Sequence, residues 1–177
     1  MRMLDLGCGL KGASKAFKER GWDVVTLDID PRFEPDIVAD LRTWSTSEYF
    51  DFIWASPVCT EFAKFAMPCW YPPAALPAPD MSLVLASKRI IDECKPRYWV
   101  IENVRGAVPF FESVLGRPSL VLSPYFLWGH FPNVGVKRTW GTKTKHLSSS
   151  AKAERARIPA VISLALAEAI EQQMCFV

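Results

Sequence analysis

Short apolar runs rich in β-branched residues alternate along the chain with segments of helical period, and this alternation narrows the possible folds. Helical periodicity covers residues 13–20, 81–94 and 160–172, and the apolar runs cover residues 3–6, 23–29, 37–41, 52–55, 99–101 and 125–128. Continuous apolar runs are typical of strands that are buried on both faces. The sequence therefore predicts an α/β fold, with a mostly parallel sheet and helices on both of its faces.

The size and composition indicate one globular domain spanning residues 1–177. Half of the 177 residues are hydrophobic and 23% are charged, as in ordinary globular proteins. No apolar run approaches the roughly 18 residues that span a membrane, and the N-terminus lacks a signal-peptide pattern. We therefore expect a cytoplasmic protein. Five cysteines without Cys-x-x-Cys spacing, and only two histidines, argue against a disulfide framework or a metal site.

The net charge of +2 is unevenly distributed along the sequence. Residues 1–61 carry 11 acidic and 7 basic side chains, whereas residues 137–157 carry 7 basic side chains against Glu154 alone. This distribution suits a neutral or cationic cofactor near the first third and a polyanion near the basic segment. A solvated loop with lysines is the alternative interpretation of the basic segment.

A glycine-rich turn follows the first predicted strand and precedes the first predicted helix. Gly7, Gly9 and Gly12 have the Gly-x-Gly-x-x-Gly spacing, which lets a backbone turn tightly and approach a nucleotide closely. Asp28 stands about 20 residues further on, where the second predicted strand ends and a carboxylate can bind ribose hydroxyls. This arrangement predicts a cofactor that contains adenosine.

Asp5, just before the first glycine, bears on which adenosine cofactor binds. The pyrophosphate of a dinucleotide lies at the helix N-terminus and would be repelled by this carboxylate, whereas the ammonium and sulfonium of S-adenosylmethionine would be attracted. We therefore expect S-adenosylmethionine. Asp40, which ends the run of residues 36–40 overlapping the third apolar run, is placed to accept a hydrogen bond from the adenine amino group. A helix or turn cap is the alternative role for Asp40.

A cysteine and a glutamate follow two neighbouring predicted strands. Cys59 comes just after residues 52–55, and Glu102 directly follows residues 99–101. Because ligands bind beyond the carboxyl ends of parallel strands, both side chains are expected at one crevice. A thiol there could act as a nucleophile, and a partly buried glutamate could hold a proton for donation. A packed cysteine and a glutamate paired with an arginine are the alternatives.

Together these segments resemble the DNA (cytosine-5)-methyltransferase family, in family order along nearly the whole chain. Residues 5–12 look like its cofactor motif, and Asp28 and Asp40 look like its ribose and adenine contacts. The nucleophile, acid and closing motifs are resembled by Ser56-Pro57-Val58-Cys59, Glu102-Asn103-Val104 and Arg157-Ile158-Pro159. The resemblance implies a Rossmann-like methyltransferase fold, S-adenosylmethionine as cofactor and DNA as substrate.

In the resembled chemistry, the target cytosine rotates out of the duplex into the pocket. Cys59 attacks C6 while Glu102 donates a proton to N3, and C5 then takes the methyl group. The resemblance further implies that Ser56, Pro57 and Asn103 contact the substrate. Arg138, in the segment nearest to the family's Gln-x-Arg-x-Arg motif, is implied as a further substrate contact.

Two departures from the family pattern have consequences for function. Val58 occupies the position before the cysteine, where the family usually has a second proline. Only residues 141–154 stand where the family carries its target-recognition domain. We therefore expect a short or relaxed sequence preference, or a separate target-recognition subunit. A chain this short is typical of phage-like genomes, so we expect the protein in the cytoplasm of a bacterial or phage-infected host cell. The oligomeric state and the recognised DNA sequence do not follow from the sequence.

Two other functions are compatible with these motifs. An RNA cytosine-5 methyltransferase would share the fold and cofactor, but most such enzymes carry a second cysteine on the strand bearing the acid, and residues 99–104 have none. A non-catalytic partner subunit of a DNA methyltransferase is favoured by Val58 and the missing recognition domain, and disfavoured by intact Cys59 and Glu102. Amino-methylating enzymes are disfavoured because residues 56–59 lack their carboxylate or amide.

Overall fold

A computed structural model describes residues 1–136 and 158–174, and within them seven strands form one sheet. The strands, in chain order, are β1 (Arg2–Leu6), β2 (Asp23–Asp28), β3 (Ile37–Val38), β4 (Phe52–Ala55), β5 (Tyr98–Val104), β6 (Leu120–Leu122) and β7 (Tyr125–His130). The helices are α1 (Lys15–Glu19), α2 (Thr60–Phe65), α3 (Ser82–Cys94), α4 (Val108–Leu115) and α5 (Ala160–Met174).

The sheet has the strand order β3-β2-β1-β4-β5-β7-β6. Strands β1 to β5 are mutually parallel, and β7 is antiparallel to both of its neighbours, β5 and β6. The predicted α/β fold with a mostly parallel sheet is therefore confirmed. The chain order reverses direction across the sheet at β1 and β4, which is where open parallel sheets bind their ligands.

The sheet separates two hydrophobic cores. On one face, α1 and α5 cover the sheet, and Phe17 of α1 and Leu166 of α5 are fully buried there. On the other face, α2, α3 and α4 cover the sheet with Phe62, Ile90 and Phe111. Continuous apolar strands such as β4, buried at all four residues, are what this two-sided covering requires.

Several predicted boundaries need correction. The strand predicted over residues 37–41 covers only Ile37–Val38, because at this edge the chain turns at Asp40, whose carbonyl accepts from the N–H of Trp44 at 2.9 Å. The helix predicted over residues 13–20 is shorter, Lys15–Glu19, although Phe17 faces the core as expected. Helices α2 and α4 and strand β6 were not predicted.

Helix α5 returns the end of the described chain to the first strand and helix. Glu171 forms an ion pair with Arg20 and accepts a hydrogen bond from the indole N–H of Trp22 at 2.9 Å. Ile158, just before α5, thereby reaches the cavity described below. In the described residues, no helix combines the length and the apolar character needed to cross a membrane.

Candidate active site

A cavity of about 480 Å³ opens at the carboxyl ends of β1, β2, β4 and β5. The twelve residues that the sequence singles out as site candidates are largely brought together there, since ten of them line the cavity. These are Asp5, Gly7, Gly9, Gly12, Asp28, Asp40, Ser56, Pro57, Cys59 and Glu102. Asn103 lies behind the wall, and Arg138 falls outside the described residues.

The glycine turn is drawn tightly over the carboxyl end of β2. The N–H groups of Gly7 and Cys8 both donate to the carbonyl of Leu27, at 2.8 and 3.1 Å. Gly7 has a φ of +69°, and a Cβ atom there would lie 3.0 Å from the carbonyl oxygen of Ser56. A side chain at this position would therefore be strained and crowded, so the glycine allows the turn to approach β4.

Asp5 is a buried carboxylate without a hydrogen-bond partner. Its residue is 1% exposed, and neither carboxylate oxygen has a partner within hydrogen-bond geometry in the described part of the chain. Burial raises the pKa of Asp5 to about 7, opposed by the nearby Ser14 and reinforced by the charge of Asp28. An unpaired buried acid at a cavity wall is a site that a cationic group would stabilise.

Asp28, the last residue of β2, faces the cavity with both carboxylate oxygens oriented by backbone donors. The N–H of Gly9 donates to Oδ2 and the N–H of Asp30 donates to Oδ1, both at 2.9 Å. Each oxygen of an ionised carboxylate has a second lone pair. Asp28 can therefore still accept hydrogen bonds from hydroxyl groups of a ligand.

Asp40 lies two residues beyond β3, where the sequence predicted it to end a strand. Its carboxylate accepts from the backbone N–H of Arg42 at 3.0 Å and pairs with the Arg42 guanidinium at 2.6 Å. These contacts hold the pKa of Asp40 below its usual range. The structure thus gives Asp40 the turn-capping contacts that were the alternative interpretation, while its side chain also lines the cavity.

Cys59, which follows β4, and Glu102, in the adjacent parallel strand β5, line the same cavity. Because β5 extends to Val104, Glu102 lies within the strand and not directly after it as the sequence predicted. Cys59 stands immediately before α2, and its carbonyl accepts from the N–H of Ala63 at 2.9 Å. Burial, and secondly the charge of Glu102, raise the pKa of the Cys59 thiol. This shift favours the neutral thiol over the thiolate in the ligand-free protein.

Glu102 is buried and carries a proton near neutral pH. Burial raises its pKa to about 8, and the nearby Ser56 side chain opposes this rise. The Ser56 hydroxyl is itself held by the indole N–H of Trp54 at 2.8 Å. A buried carboxyl group with a raised pKa can act as a proton donor at neutral pH.

Asn103 does not face the cavity. Its side chain is fully buried, Nδ2 donates to the carbonyl of Pro57 at 3.0 Å, and Oδ1 accepts from the N–H of Val104 at 2.9 Å. Consecutive strand residues point to opposite faces, so Glu102 and Asn103 diverge. The Asn103 side chain thus holds the proline turn before Cys59, and the substrate contact implied for it stays a prediction.

Sequence reasoning missed several apolar residues of the cavity, whose signals in the sequence are weak. Leu41 and Leu83 come from separate segments that periodicity alone assigns to the core. Phe33 lies in a one-turn 3-10 helix, Pro31–Phe33, which follows β2. Ile158 joins them through the return of α5. These side chains give the cavity apolar walls between its acidic groups.

The strand order, the single antiparallel β7 and the acid-bearing glycine turn define a Rossmann-like fold of the S-adenosylmethionine-dependent methyltransferase class. A Frog virus 3 (isolate Goorha) protein, named "Probable DNA (cytosine-5)-methyltransferase", is 29% identical over 117 residues, covering 58% of this chain and 53% of that protein. The chain thus spans about half the length of this curated relative. No protein-family model matches the chain.

Solved structures agree on the fold. An E. coli prophage protein, described as "putative DNA modification methyltransferase", superposes with a TM-score of 0.50 at 19% identity, covering 73% of this chain and 46% of its own. The methyltransferase EhMeth of Entamoeba histolytica superposes with a TM-score of 0.52 at 14% identity, covering 85% of this chain and 62% of its own. The Rossmann-like methyltransferase fold expected from the sequence is therefore confirmed.

Proposed function

We propose that the protein transfers a methyl group from S-adenosylmethionine to carbon 5 of cytosine in DNA through a covalent adduct at Cys59. The observation that carries this proposal is the convergence of Cys59 and Glu102 on the cavity that the glycine turn also lines. A thiol and a protonated carboxyl group are the nucleophile and acid that addition to a cytosine ring needs.

The cofactor half of the cavity suits S-adenosylmethionine. Asp5 offers an unpaired buried carboxyl group to a cation, Asp28 keeps acceptor capacity for ribose hydroxyls, and Gly7 lets backbone approach the ligand. S-adenosylmethionine supplies an electrophilic methyl group on its sulfonium when it is bound. Binding of its ammonium beside Asp5 would ionise that carboxyl group and relieve the cost of its burial.

The reaction is assigned to two residues of the chain. The Cys59 thiol gives its proton to solvent, and its sulfur forms a bond to C6 of cytosine while Glu102 gives its proton to N3, which makes C5 nucleophilic. C5 then takes the methyl group as the S–CH3 bond of the sulfonium breaks, which would leave a neutral thioether. Solvent takes the C5 proton, the C5–C6 double bond re-forms, the sulfur leaves as a thiolate and the N3 proton returns to Glu102. Rotating the cytosine out of the duplex to reach Cys59 costs a few kcal/mol, because its stacking and base pairing are lost.

DNA as the substrate rests on the sequence similarity to the Frog virus 3 protein and on the basic side chains of residues 137–157. Lysine and arginine side chains in such a segment can neutralise DNA phosphates. Because few residues stand in the place of a recognition domain, we also propose a relaxed sequence preference or a separate target-recognition subunit.

Expression in a methylation-free bacterial host, followed by mass spectrometry of nucleosides from DNA and from RNA, tests this function. We expect 5-methylcytosine in DNA with the unaltered protein and none with Cys59→Ala. Cys69→Ala is the matched control because the Cys69 thiol is exposed and does not line the cavity. Methylcytosine confined to RNA would indicate the RNA enzyme, and undiminished DNA methylation by Cys59→Ala would end the nucleophile assignment.

A trapping experiment separates an enzyme from a non-catalytic partner. Duplex DNA containing 5-fluorocytosine cannot lose a proton from C5, so the adduct with Cys59 should persist when S-adenosylmethionine is present. We expect a protein–DNA species stable to denaturant, which is absent with Cys59→Ala and scarce with Glu102→Gln. Failure of the unaltered protein to form it would favour the partner role.

A further inference from the structure

Gly106 makes a tight backbone contact with residues 57–66, which contain Cys59 and α2 and are called the Cys59 segment. It lies in the 3-10 turn Arg105–Ala107, directly after β5, and packs against α2. A Cβ atom at Gly106 would lie 1.9 Å from the carbonyl oxygen of Phe62 and 3.0 Å from the backbone nitrogen of Ala66. Both atoms belong to the backbone of the α2 segment, so no change of rotamer can make room for a side chain.

Any side chain at this position must therefore move α2 and the turn Arg105–Ala107 apart. Real Cβ atoms essentially never come closer than 3.0 Å to another heavy atom, so the required displacement is roughly 1 Å. Gly106 does not have a positive φ angle. Alanine at this position would therefore report the close contact with α2, because its backbone would not be strained by a left-handed conformation.

Residues at and just after the end of β5, the strand that bears Glu102, contact the Cys59 segment both before and after the cysteine. Before the cysteine, the carbonyl of Pro57 accepts from Nδ2 of Asn103. After it, Phe62 abuts Gly106, and the hydrogen bond from Ala63 to the Cys59 carbonyl ties the cysteine to the first turn of α2. A shift of α2 therefore shifts Cys59 relative to Glu102.

We propose that Gly106 is a positioning residue, which seats α2 against the end of β5 so that the Cys59 thiol faces Glu102 across one cavity. The proposal rests on the proposed function in taking Cys59 as the nucleophile. Gly106 does not line the cavity itself, and the cofactor half is built from β1 and β2. A side chain at position 106 should thus disturb the thiol and leave cofactor binding intact.

The ionisation of Cys59 reports this seating independently of catalysis. The charge of Glu102 contributes to the raised pKa of the Cys59 thiol. The same carboxylate also contributes to the raised pKa of Tyr125 of β7. Glu61, on the first turn of α2, is engaged by the N–H of Asp80 at 2.8 Å. Because burial and Glu102 raise the pKa of Cys59, moving α2 outward should lower that pKa.

The test compares Gly106→Ala with the unaltered protein by following alkylation with iodoacetamide from pH 6 to 10, resolved by peptide mass spectrometry. For Cys59 we expect a lower midpoint and a correspondingly higher rate at pH 8, because each unit by which the pKa falls raises the thiolate fraction about tenfold. The exposed Cys69 serves as the internal standard. Turnover on duplex DNA should fall about 100-fold, with S-adenosylmethionine affinity unchanged within twofold.

Gly135→Ala is the matched control, because no atom lies within 4 Å of a Cβ built at Gly135, and it should change neither readout. A folded Gly106→Ala protein with an unaltered Cys59 profile would overturn the proposal. Should that variant fail to fold, Phe110→Ala, which removes a ring packed 4.7 Å from Phe65 of α2, must lower the Cys59 midpoint or the proposal fails. An altered profile in a protein that never methylates DNA would retain the positioning role and refute the proposed function.

Discussion

Replacing Asp5 by asparagine should stabilise the cofactor-free protein and weaken cofactor binding together. Burial raises the pKa of Asp5 from 3.8 to about 7. Between these values the unfolded chain is ionised at this residue while the folded protein still holds the proton. The stability associated with Asp5 is therefore fully present below about pH 4 and lost as the pH rises to 7. Roughly three pKa units correspond to about 4 kcal/mol.

Urea unfolding of both proteins from pH 4 to 8, without ligand, measures this effect. The free energy of unfolding of Asp5→Asn, relative to the unaltered protein, should increase by about 1.4 kcal/mol for each pH unit up to pH 7 and then level off. The asparagine amide is also buried without a partner, which adds a cost that does not depend on pH. The pH-dependent part of the difference is therefore the quantity to compare.

Asp36→Asn is a control with the opposite sign. Asp36 accepts hydrogen bonds from the N–H and hydroxyl of Thr26 at 2.8 and 2.7 Å, and its pKa is lowered. Its contribution to stability is present above the unfolded pKa and lost as the pH falls, so Asp36→Asn should destabilise the neutral protein. A difference between Asp5→Asn and the unaltered protein that stays constant from pH 4 to 8 would refute the reasoning about Asp5.

Three further predictions concern the proposed catalytic pair, Cys59 and Glu102, the glycine turn and the basic segment. Since the pKa of Glu102 is about 8 and that of Cys59 is raised, kcat/KM for DNA should rise about tenfold per pH unit from pH 6 to 8 and peak above pH 8; a peak near pH 7 would contradict it. Gly7→Ala places a Cβ atom on a backbone with φ +69° and 3.0 Å from the carbonyl oxygen of Ser56. It should therefore weaken S-adenosylmethionine binding, measured by calorimetry, about tenfold or more, and more than Gly9→Ala, whose Cβ meets no atom within 4 Å. Equal losses of affinity in the two variants would contradict the crowding argument. A plot of the logarithm of the binding constant for duplex DNA against the logarithm of salt concentration has a negative slope, and Arg138→Ala should make this slope shallower by about 1. An unchanged slope would show that Arg138 does not contact DNA phosphate.

The parts of the fold that sequence reasoning predicted are those with strong local signals. The strand over residues 52–55 is predicted with its observed bounds, because it is wholly apolar and ends in a serine-proline turn. Helix α2, six residues long, is too short to show a helical period. The reversed direction of β7 arises from its pairing with β5, and the pattern of a single strand carries no information on its direction.

The candidate site was predictable to the extent that it depends on strand ends. Asp5, Asp28, Cys59 and Glu102 all follow from the rule that ligands bind beyond the carboxyl ends of parallel strands. The placement of Asn103 behind the cavity wall depends on which face each residue of β5 presents, and that depends on the packing of α2 and the proline turn. The contact at Gly106 depends on the same packing and has no sequence signal of its own.

Within the described residues, two buried acids with raised pKa values lie at the cavity, and their placement there favours a ligand. In the two described stretches, the oxygens of Asp5 are the buried side-chain polar atoms without a hydrogen-bond partner, whereas buried groups elsewhere, such as Ser87 and Ser163, bind backbone carbonyls. Glu102 adds a second buried carboxyl group with a raised pKa at the same cavity. Apolar residues at both positions would cost less in the empty protein, and the proposed function accounts for the two acids by placing a cation beside one and a proton acceptor beside the other.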